Sequence, residues 1–406
     1  MKNILYISSL CSPRVIDYIF NTSVIKPGLA VQKFHRLLAE GLAFHNKYCC
    51  VETLSIIPVV SKSHHQRLWN IPSEVIDNIH YKYIPTINLP VLKNVIIFIY
   101  AFSKTTLWNL VRRREDKVAI FDVRSLTVTT SALLACKLTN TKTIAIVTDV
   151  PNLTMRDSYQ QNDVKSKVIN SFITKIIGNF DGYLLLTEPM NEVVNRHHKP
   201  YIIMEGLVDA KMVANTNLLE HKSSERILIY AGGIYEKYGI KKLIEAFSKL
   251  EDDDLRLHIY GHGEMEKDMP YYMSLDKRVV YRGIVSNNIV VERQLEATLL
   301  INPRSSTEEF TKYSFPSKNM EYMASGTPIV TTLLPGMPKE YIPFVYLFTD
   351  ESIDGIYQTL NNLLLKPKEE LNEFGYHAKQ FVLENKSNYS QAKRLLSFLE
   401  EIDVFF

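Results

Sequence analysis

Short apolar runs alternate with amphipathic segments along the whole chain. Residues 118–122, 143–147 and 182–186 are apolar at nearly every position, which is typical of parallel strands buried on both faces. Segments between them, such as 125–138 and 164–177, carry apolar residues at helical spacing. The alternation predicts a doubly wound α/β architecture, in which ligands bind at the carboxyl ends of the strands.

This alternating pattern occurs twice, separated by a polar stretch. A chain of 406 residues is too long for one ordinary hydrophobic core. We therefore predict an N-terminal Rossmann-like domain at 1–206, a linker at 207–225 and a C-terminal Rossmann-like domain at 226–383. The last helical segment, 384–406, is expected to cross back to the N-terminal domain.

Composition narrows the function classes. Hydrophobic residues make up 46% of the chain, charged residues 22%, and the net charge is +3, which is ordinary for a globular protein and gives no support to nucleic-acid binding. The four cysteines show no C-x-x-C spacing, so a reducing cytoplasm is the expected location. The histidine pairs lack matching cysteine or acid spacing, so we expect no metal site and no cofactor.

The longest apolar segment, residues 89–111, ends in three arginines at 112–114. Four polar residues interrupt it: Lys93, Asn94, Ser103 and Lys104. A membrane-spanning helix needs about 20 apolar residues, so we predict that this segment does not span. Two interpretations remain open: a core helix with a solvated basic end, or a helix lying on an anionic membrane surface. The second would make the protein peripheral on the inner face of the cell membrane.

The segment 301–332 carries the strongest candidate chemistry. A strand ends near Arg304, a polar loop follows, and a helix is predicted to begin at Ser317. The free N–H groups of a helix N-terminus favour a diphosphate. Lys318 lies in the first turn, where a cation opposes the helix dipole, and Glu321 follows on the same face. A cation for phosphate and a carboxylate for ribose hydroxyls would explain this placement; the alternative is a solvated helical ion pair.

Residues 320–330, Met-Glu-Tyr-Met-Ala-Ser-Gly-Thr-Pro-Ile-Val, resemble the donor-site motif of glycosyltransferase family 4, a family of retaining enzymes with the GT-B fold. The resemblance implies that Glu321 binds the nucleotide ribose. The first of the motif's two glutamates is replaced by Tyr313, and whether Glu308 or Glu309 takes its place is open. We count Glu309 as a candidate catalytic residue. Residues 312–318 are similar to a subgroup found in polysaccharide gene clusters.

The resemblance extends upstream to residues 230–247, which are similar to the first loop of the family's donor lobe. Gly232 and Gly233 would let the backbone approach a ligand closely. The arginine and lysine that bind phosphate in the family fall here on Gly233 and Tyr238. The cations available as substitutes are Lys237, Arg304 and Lys318.

Further positions follow from the same resemblance. Gly261 lies in the next family element, and Ile284 falls where the family's backbone holds the nucleotide base. In the first domain, Gly28 would lie against the donor phosphates. The family often has a histidine where this chain has Thr148, so the neighbouring Asp149 becomes the candidate catalytic residue. The alternative is that Asp149 only caps a turn.

Taken together, the resemblance implies the GT-B fold: two Rossmann-like doubly wound domains facing across a cleft, with C-terminal helices packing back on the first lobe. It implies an acceptor-side first domain and a nucleotide-sugar-binding second domain. The expected activity is sugar transfer, with retention, from a UDP- or GDP-sugar to a glycan or lipid-linked acceptor in cell-surface polysaccharide or glycoconjugate synthesis. Two alternatives remain open: a catalytically silent glycan-binding partner with the same fold, and a hydrolysing sugar-nucleotide epimerase.

Overall fold

A computed structural model describes residues 2–25, 30–150 and 164–402 of the chain. The chain divides into two compact units, Met1–Leu207 with Asn388–Phe406, and Val208–Ser387. Of the linker predicted at 207–225, Leu207 belongs to the first unit and residues 208–225 lie in the second. There the Asn217 side-chain amide donates to the Ser325 carbonyl at 3.2 Å and to Thr327 Oγ1 at 2.9 Å.

The first unit is built on a mainly parallel sheet. Its helices and strands, before the C-terminal segment, are β1 (Lys2–Ser8), α1 (Pro13–Thr22), α2 (Ala30–Phe44), β2 (Cys49–Ser55), β3 (Leu68–Trp69), β4 (Glu74–Ile76), β5 (Ile79–Tyr81), β6 (Thr86–Ile87), α3 (Pro90–Val111), β7 (Lys117–Asp122), α4 (Leu126–Leu138), β8 (Lys142–Val147), α5 (Val164–Ile177), β9 (Gly182–Leu185), α6 (Glu188–Val194) and β10 (Tyr201–Ile203). The strand order in the described part of this sheet is β10-β9-β8-β7-β1-β2-β5-β4, in which β4 alone runs antiparallel to its neighbour, and β3 and β6 form a separate antiparallel pair. The predicted parallel strands are confirmed, but β2, which lies beside β1, was not predicted.

The second unit is a fully parallel doubly wound domain within the part of the chain described. Its helices and strands are β11 (Arg226–Ala231), α7 (Ile240–Phe247), β12 (Leu255–Tyr260), α8 (Met269–Leu275), β13 (Val279–Gly283), α9 (Asn287–Glu296), β14 (Leu299–Asn302), α10 (Ser317–Ser325), β15 (Ile329–Thr332), β16 (Tyr346–Phe348), α11 (Ile353–Leu364) and α12 (Lys368–Lys386). The strand order is β13-β12-β11-β14-β15-β16. The central strands β11 and β14 therefore bring the loops that follow them to one edge.

The last helix, α13 (Asn388–Glu401), returns to the first unit and packs on α2. Its apolar residues Leu395 and Leu399 are fully buried in the same core cluster as Ile4 and Tyr6 of β1. Burial of a leucine side chain contributes about 1.5–3 kcal/mol. The C-terminal helix is therefore part of the first unit's core.

The apolar segment at 89–111 is less buried than the core-helix interpretation requires. It forms one continuous helix, α3, and residues Val91–Val111 are long and apolar enough to cross a membrane by length and composition. Two of the polar side chains within α3 are accommodated by hydrogen bonds: Lys93 Nζ donates to the Val59 carbonyl, and Ser103 Oγ donates to the Ile99 carbonyl. Only 28% of the most apolar window is buried, so α3 is not a core helix.

Candidate functional site

The candidate site lies in the second unit, at the carboxyl edge of its parallel sheet. The loop after β11 and the loop after β12 pack directly on each other there. Gly232 N–H donates to the Tyr260 carbonyl at 2.9 Å, and Gly261 N–H donates to the Gly283 carbonyl at 2.8 Å. Gly261 has φ +122°, and a Cβ on it would stand 1.8 Å from the Gly232 carbonyl oxygen. This contact requires glycine, because an L-residue there would meet backbone.

Helix α10 is fixed against these loops by two buried side chains. Tyr322 Oη accepts from Ala231 N–H at 2.7 Å and donates to the Ala231 carbonyl at 3.2 Å. Asn319 Oδ1 accepts from the Asn302 side-chain amide at 2.6 Å. The ends of β11 and β14 are thereby tied to one helix, and its amino end is held at the sheet edge.

The amino end of α10 has no side-chain cap. The residue preceding the helix is Pro316, which makes no side-chain hydrogen bond to the first turn, and the helix ends at Gly326 with φ +80°, as the sequence predicts. Ser317 is exposed at the first position, and Glu321 is partly buried one turn after Lys318. The unpaired N–H groups of such a turn favour an anion.

Lys318 extends from this first turn to the loop after β11. Its Nζ donates to Tyr230 Oη at 3.0 Å and lies 4.2 Å from the centre of the Tyr230 ring. Tyr230 Oη in turn donates to the Gly233 carbonyl at 2.7 Å. A Cβ on Gly232 would stand 1.9 Å from Lys318 Nζ. The glycine therefore makes room for the ammonium group.

Arg304 supplies a second cation from the loop after β14. Its guanidinium carbon lies 4.6 Å from the centre of the Tyr238 ring and 5.6 Å from that of Phe310. Its Nε is buried and has no hydrogen-bond partner within the described part of the chain. Lys318 Nζ also faces the Tyr238 ring, at 6.0 Å. Both cations thus face the Tyr238 ring, which attracts each of them.

Neither cation has an ion-pair contact with a carboxylate among the described residues. Burial, followed by the charge of Arg304, lowers the pKa of Lys318 to about 7, and Glu321 offsets part of this effect. Burial also lowers the pKa of Arg304. Two partly buried cations without a bonded carboxylate are unfavourable unless an anion joins them. The arrangement is that of a site for a multiply charged anion.

Three other predicted donor-site residues lie in loops that follow β11, β13 and β14 at the same edge of the sheet. Lys237 lies over the Tyr235 ring at 5.8 Å, and Tyr235 packs edge-on against Tyr238. Ile284 is exposed directly after Gly283, the partner of Gly261. Glu309 is exposed in the short turn that also places Phe310 near Arg304. The sequence did not indicate the three aromatic residues Tyr230, Tyr238 and Phe310 as a group, because they come from three separate loops.

The first unit carries its own polar group at the carboxyl end of its sheet. Asp122 is fully buried and lies 3.1 Å from His35 Nε2, while His35 Nδ1 is 2.7 Å from Tyr6 Oη. Arg124 Nε and Nη2 donate to the two Asp122 carboxylate oxygens at 3.1 and 3.0 Å. Burial raises the pKa of Asp122, but His35 and Arg124 outweigh it and lower the pKa overall.

Asp149 is exposed shortly after β8, at the same edge of the sheet as Asp122. Thr148 Oγ1 donates to Asp149 Oδ2 at 3.4 Å, and the charge of Asp149 raises the pKa of Arg124. Gly28 lies outside the described residues. Sequence reasoning missed His35, because nothing in its spacing connects it to an aspartate far along the chain.

Comparison with solved structures defines the architecture. Sucrose-phosphate synthase from Thermosynechococcus elongatus superposes with a TM-score of 0.67 at 13% identity, covering 99% of both chains. HepE from Anabaena, solved with UDP and glucose, gives 0.63 at 9% identity, covering 98% of this chain and 100% of that one. A glycosyltransferase from Rickettsia africae gives 0.63 at 15% identity over 99% and 98%. The protein has the GT-B fold.

A protein-family model matches most of the second unit. Residues 215–381 match the family model described as Glycosyl transferases group 1, a range that contains Lys318, Arg304 and both glycine loops. No curated protein sequence matches the chain.

Proposed function

We propose that the protein is a glycosyltransferase of the family 4 type that uses a nucleotide-sugar donor. The observation that carries this proposal is the pair Lys318 and Arg304, which lies without bonded carboxylates beside the uncapped amino end of α10. A nucleoside diphosphate matches two cations and a helix N-terminus in charge and in hydrogen-bond acceptors. Glu321 would accept from the ribose hydroxyls, and the backbone near Ile284 would hold the base.

In the proposed reaction, the bond between the sugar C1 and the diphosphate oxygen breaks, and an acceptor hydroxyl oxygen bonds to C1. The hydroxyl proton passes to a base, and the nucleoside diphosphate leaves. Lys318, Arg304 and the first turn of α10 stabilise the charge on the leaving group. We propose that these groups serve this role without a metal ion or cofactor, that retention accompanies the transfer, and that Asp149 and Glu309 contact the reacting groups.

The acceptor is proposed to be a glycan or a lipid-linked sugar of cell-surface polysaccharide or glycoconjugate synthesis. Two of the similar structures support this class: HepE was solved with UDP and glucose, and TarM from S. aureus with UDP and α-GlcNAc-glycerol. The reaction is proposed to take place in the cytoplasm. The four cysteines are free thiols, which supports a reducing compartment.

Calorimetric titration with UDP and GDP tests the donor site directly. We expect one of the two to bind the wild type, and Lys318→Met and Glu321→Ala to weaken it at least tenfold, because each removes a contact to diphosphate or ribose. Lys277→Met is the matched control, because Lys277 is exposed at the amino end of β13, away from the site.

Two outcomes of this titration, and one of an incubation with a nucleotide sugar, separate the hypotheses. Absence of binding by either nucleotide would overturn the proposal and favour a silent glycan-binding partner. Release of free nucleotide and an epimerised sugar from a nucleotide sugar incubated without any acceptor would favour a hydrolysing epimerase. Equal binding by Lys318→Met and wild type would place the diphosphate elsewhere.

A further inference from the structure

Helix α3 presents an apolar side to solvent in its amino-terminal half. Val95 is 48% exposed and Ile99 is 61% exposed, and Val91, Leu92 and, near the other end, Leu110 lie on the same side of the helix. Val91, Val95 and Ile99 follow helical spacing, so they form an exposed stripe. Exposed apolar residues scattered singly are normal, but a stripe on one side of a helix marks an interaction surface.

Helix α4 extends this apolar stripe. Thr127 Oγ1 donates to Asn94 Oδ1 at 3.3 Å, and Ser131 Oγ donates to the Phe98 carbonyl, so α4 packs beside α3. Leu134 and Leu138 continue the face of α4 that carries these two residues, and both are exposed. We call the exposed stripe on α3 together with Leu134 and Leu138 the α3–α4 face.

The charged residues of α3 and of the turn that follows it are all cationic as far as Arg114. Between Pro90 and Arg114 the sequence contains five cations and no acidic residue. Arg112 pairs with the buried carboxylate of Glu52, whereas Lys104, Arg113 and Arg114 are exposed. An apolar helix that ends in exposed arginines is complementary to a surface with an apolar interior and anionic headgroups.

Polar contacts of buried side chains hold α3 on the first unit. On the side opposite the exposed stripe, Trp108 Nε1 donates to Glu52 Oε1 at 3.0 Å. Near the carboxyl end of the helix, the buried Asn109 side-chain amide donates to Thr139 Oγ1 at 2.8 Å. A helix crossing a bilayer would have to break these buried contacts, each of which would leave unsatisfied polar groups. The geometry therefore favours a helix that lies in the plane of the membrane surface.

We infer that the α3–α4 face docks on a lipid bilayer containing anionic phospholipids. Val95 and Ile99 enter the boundary between headgroups and acyl chains, and Arg113 and Arg114 contact the phosphates. This inference goes beyond the proposed transfer and does not depend on it. It places the first unit at the surface where a lipid-linked acceptor would be presented.

Co-sedimentation with vesicles tests the docking surface. The full chain is mixed with vesicles of phosphatidylcholine alone, or with about a third phosphatidylglycerol. We expect at least tenfold stronger partition onto the anionic vesicles. Val95→Glu/Ile99→Glu should lower this partition at least tenfold. The control Leu275→Glu/Leu365→Glu, at side chains 66% and 77% exposed in the second unit, should leave it unchanged.

The charge contribution is tested by a second pair of substitutions. Arg113→Ala/Arg114→Ala should lower partition onto the anionic vesicles about 30-fold, since each cation contributes about 1 kcal/mol near such a surface, and leave partition onto phosphatidylcholine unchanged. Circular dichroism and UDP binding check that the variants are folded.

Two results would overturn the inference. The first is equal partition of the wild type and the Val95→Glu/Ile99→Glu variant onto the vesicles, which includes the case in which neither binds. The other is a wild-type dimer in sedimentation velocity that Val95→Glu/Ile99→Glu converts to monomer, which would assign the face to a second copy of the chain.

Discussion

At the scale of single residues, the cations Lys318 and Arg304 determine the charge of the proposed site in the second unit. Each faces an aromatic ring, and neither has an ion-pair contact with a carboxylate in the described part of the chain. Aromatic rings attract cations without neutralising them. The rings therefore leave both cations available to a ligand, and burial lowers the pKa of Lys318 to about 7.

The pKa of Lys318 predicts that nucleoside diphosphate binding takes up a proton. With a pKa of about 7, Lys318 is mostly neutral in the free protein above neutral pH. A bound diphosphate favours the charged form and raises this pKa again. Affinity should therefore fall as pH rises from about 7 to 9, by at most tenfold per pH unit.

Titration calorimetry in buffers of different ionisation enthalpy measures this proton directly. Lys318→Arg is the matched variant, because it keeps a cation that stays charged at every pH tested. The proton uptake should disappear in that variant. A heat of binding that is independent of the buffer in the wild type would contradict the assignment.

At the scale of elements, two glycine loops and one helix end form the site. Gly232 and Gly261 belong to neighbouring loops and are close together, but their surroundings differ. A Cβ on Gly232 would meet the mobile end of Lys318, whereas a Cβ on Gly261 would meet the backbone carbonyl of Gly232. One glycine makes room for a side chain, and the other permits the contact between the loops.

This difference predicts that alanine at one glycine impairs UDP binding, whereas alanine at the other lowers stability. Gly232→Ala should shift Lys318 and weaken UDP binding while leaving the thermal midpoint near that of the wild type. Gly261→Ala should lower the free energy of unfolding by about 1–3 kcal/mol, because φ +122° is strained for alanine. Thermal denaturation with and without UDP measures both effects. A stable Gly261→Ala protein, or normal UDP binding by Gly232→Ala, would show that the loops are arranged differently.

At the scale of the whole molecule, the chain leaves the first unit at Leu207 and returns to it at Asn388. The return depends on the contact between α2 and α13, where Gly41 lies close to the backbone of Asn388. A Cβ on Gly41 would stand 2.1 Å from the Asn388 carbonyl oxygen. The first unit therefore completes its core only after the second unit has been synthesised.

Gly41→Ala should destabilise the first unit alone. Separation of α13 from α2 disturbs packing around Leu395 and Leu399, and overpacking of this kind costs about 1–3 kcal/mol. We expect a lower unfolding transition for the first unit and unchanged UDP affinity in the second. Gly178→Ala is the control, because its Cβ would make only contacts of 3.5 Å or more. Equal thermal profiles for the two variants would contradict this prediction.

The sequence by itself determined most of the strands and the position of the helix whose amino end is the proposed phosphate site. Local patterns suffice for these features: apolar runs for β7 and β11, and the glycine at 326 that ends α10. The placement of Lys318 in a first turn was equally visible, because it depends only on neighbours in the chain.

Only the tertiary structure decided which distant side chains meet. Tyr230, Arg304 and Tyr238 converge because β11 and β14 are adjacent in the sheet, an order that local periodicity does not contain. The same holds for His35 beside Asp122, and for the exposed side of α3, which the sequence does not distinguish from its buried side. Hydrophobic patterning indicates which positions along the chain tend to be buried, whereas strand order and packing determine which side chains come into contact.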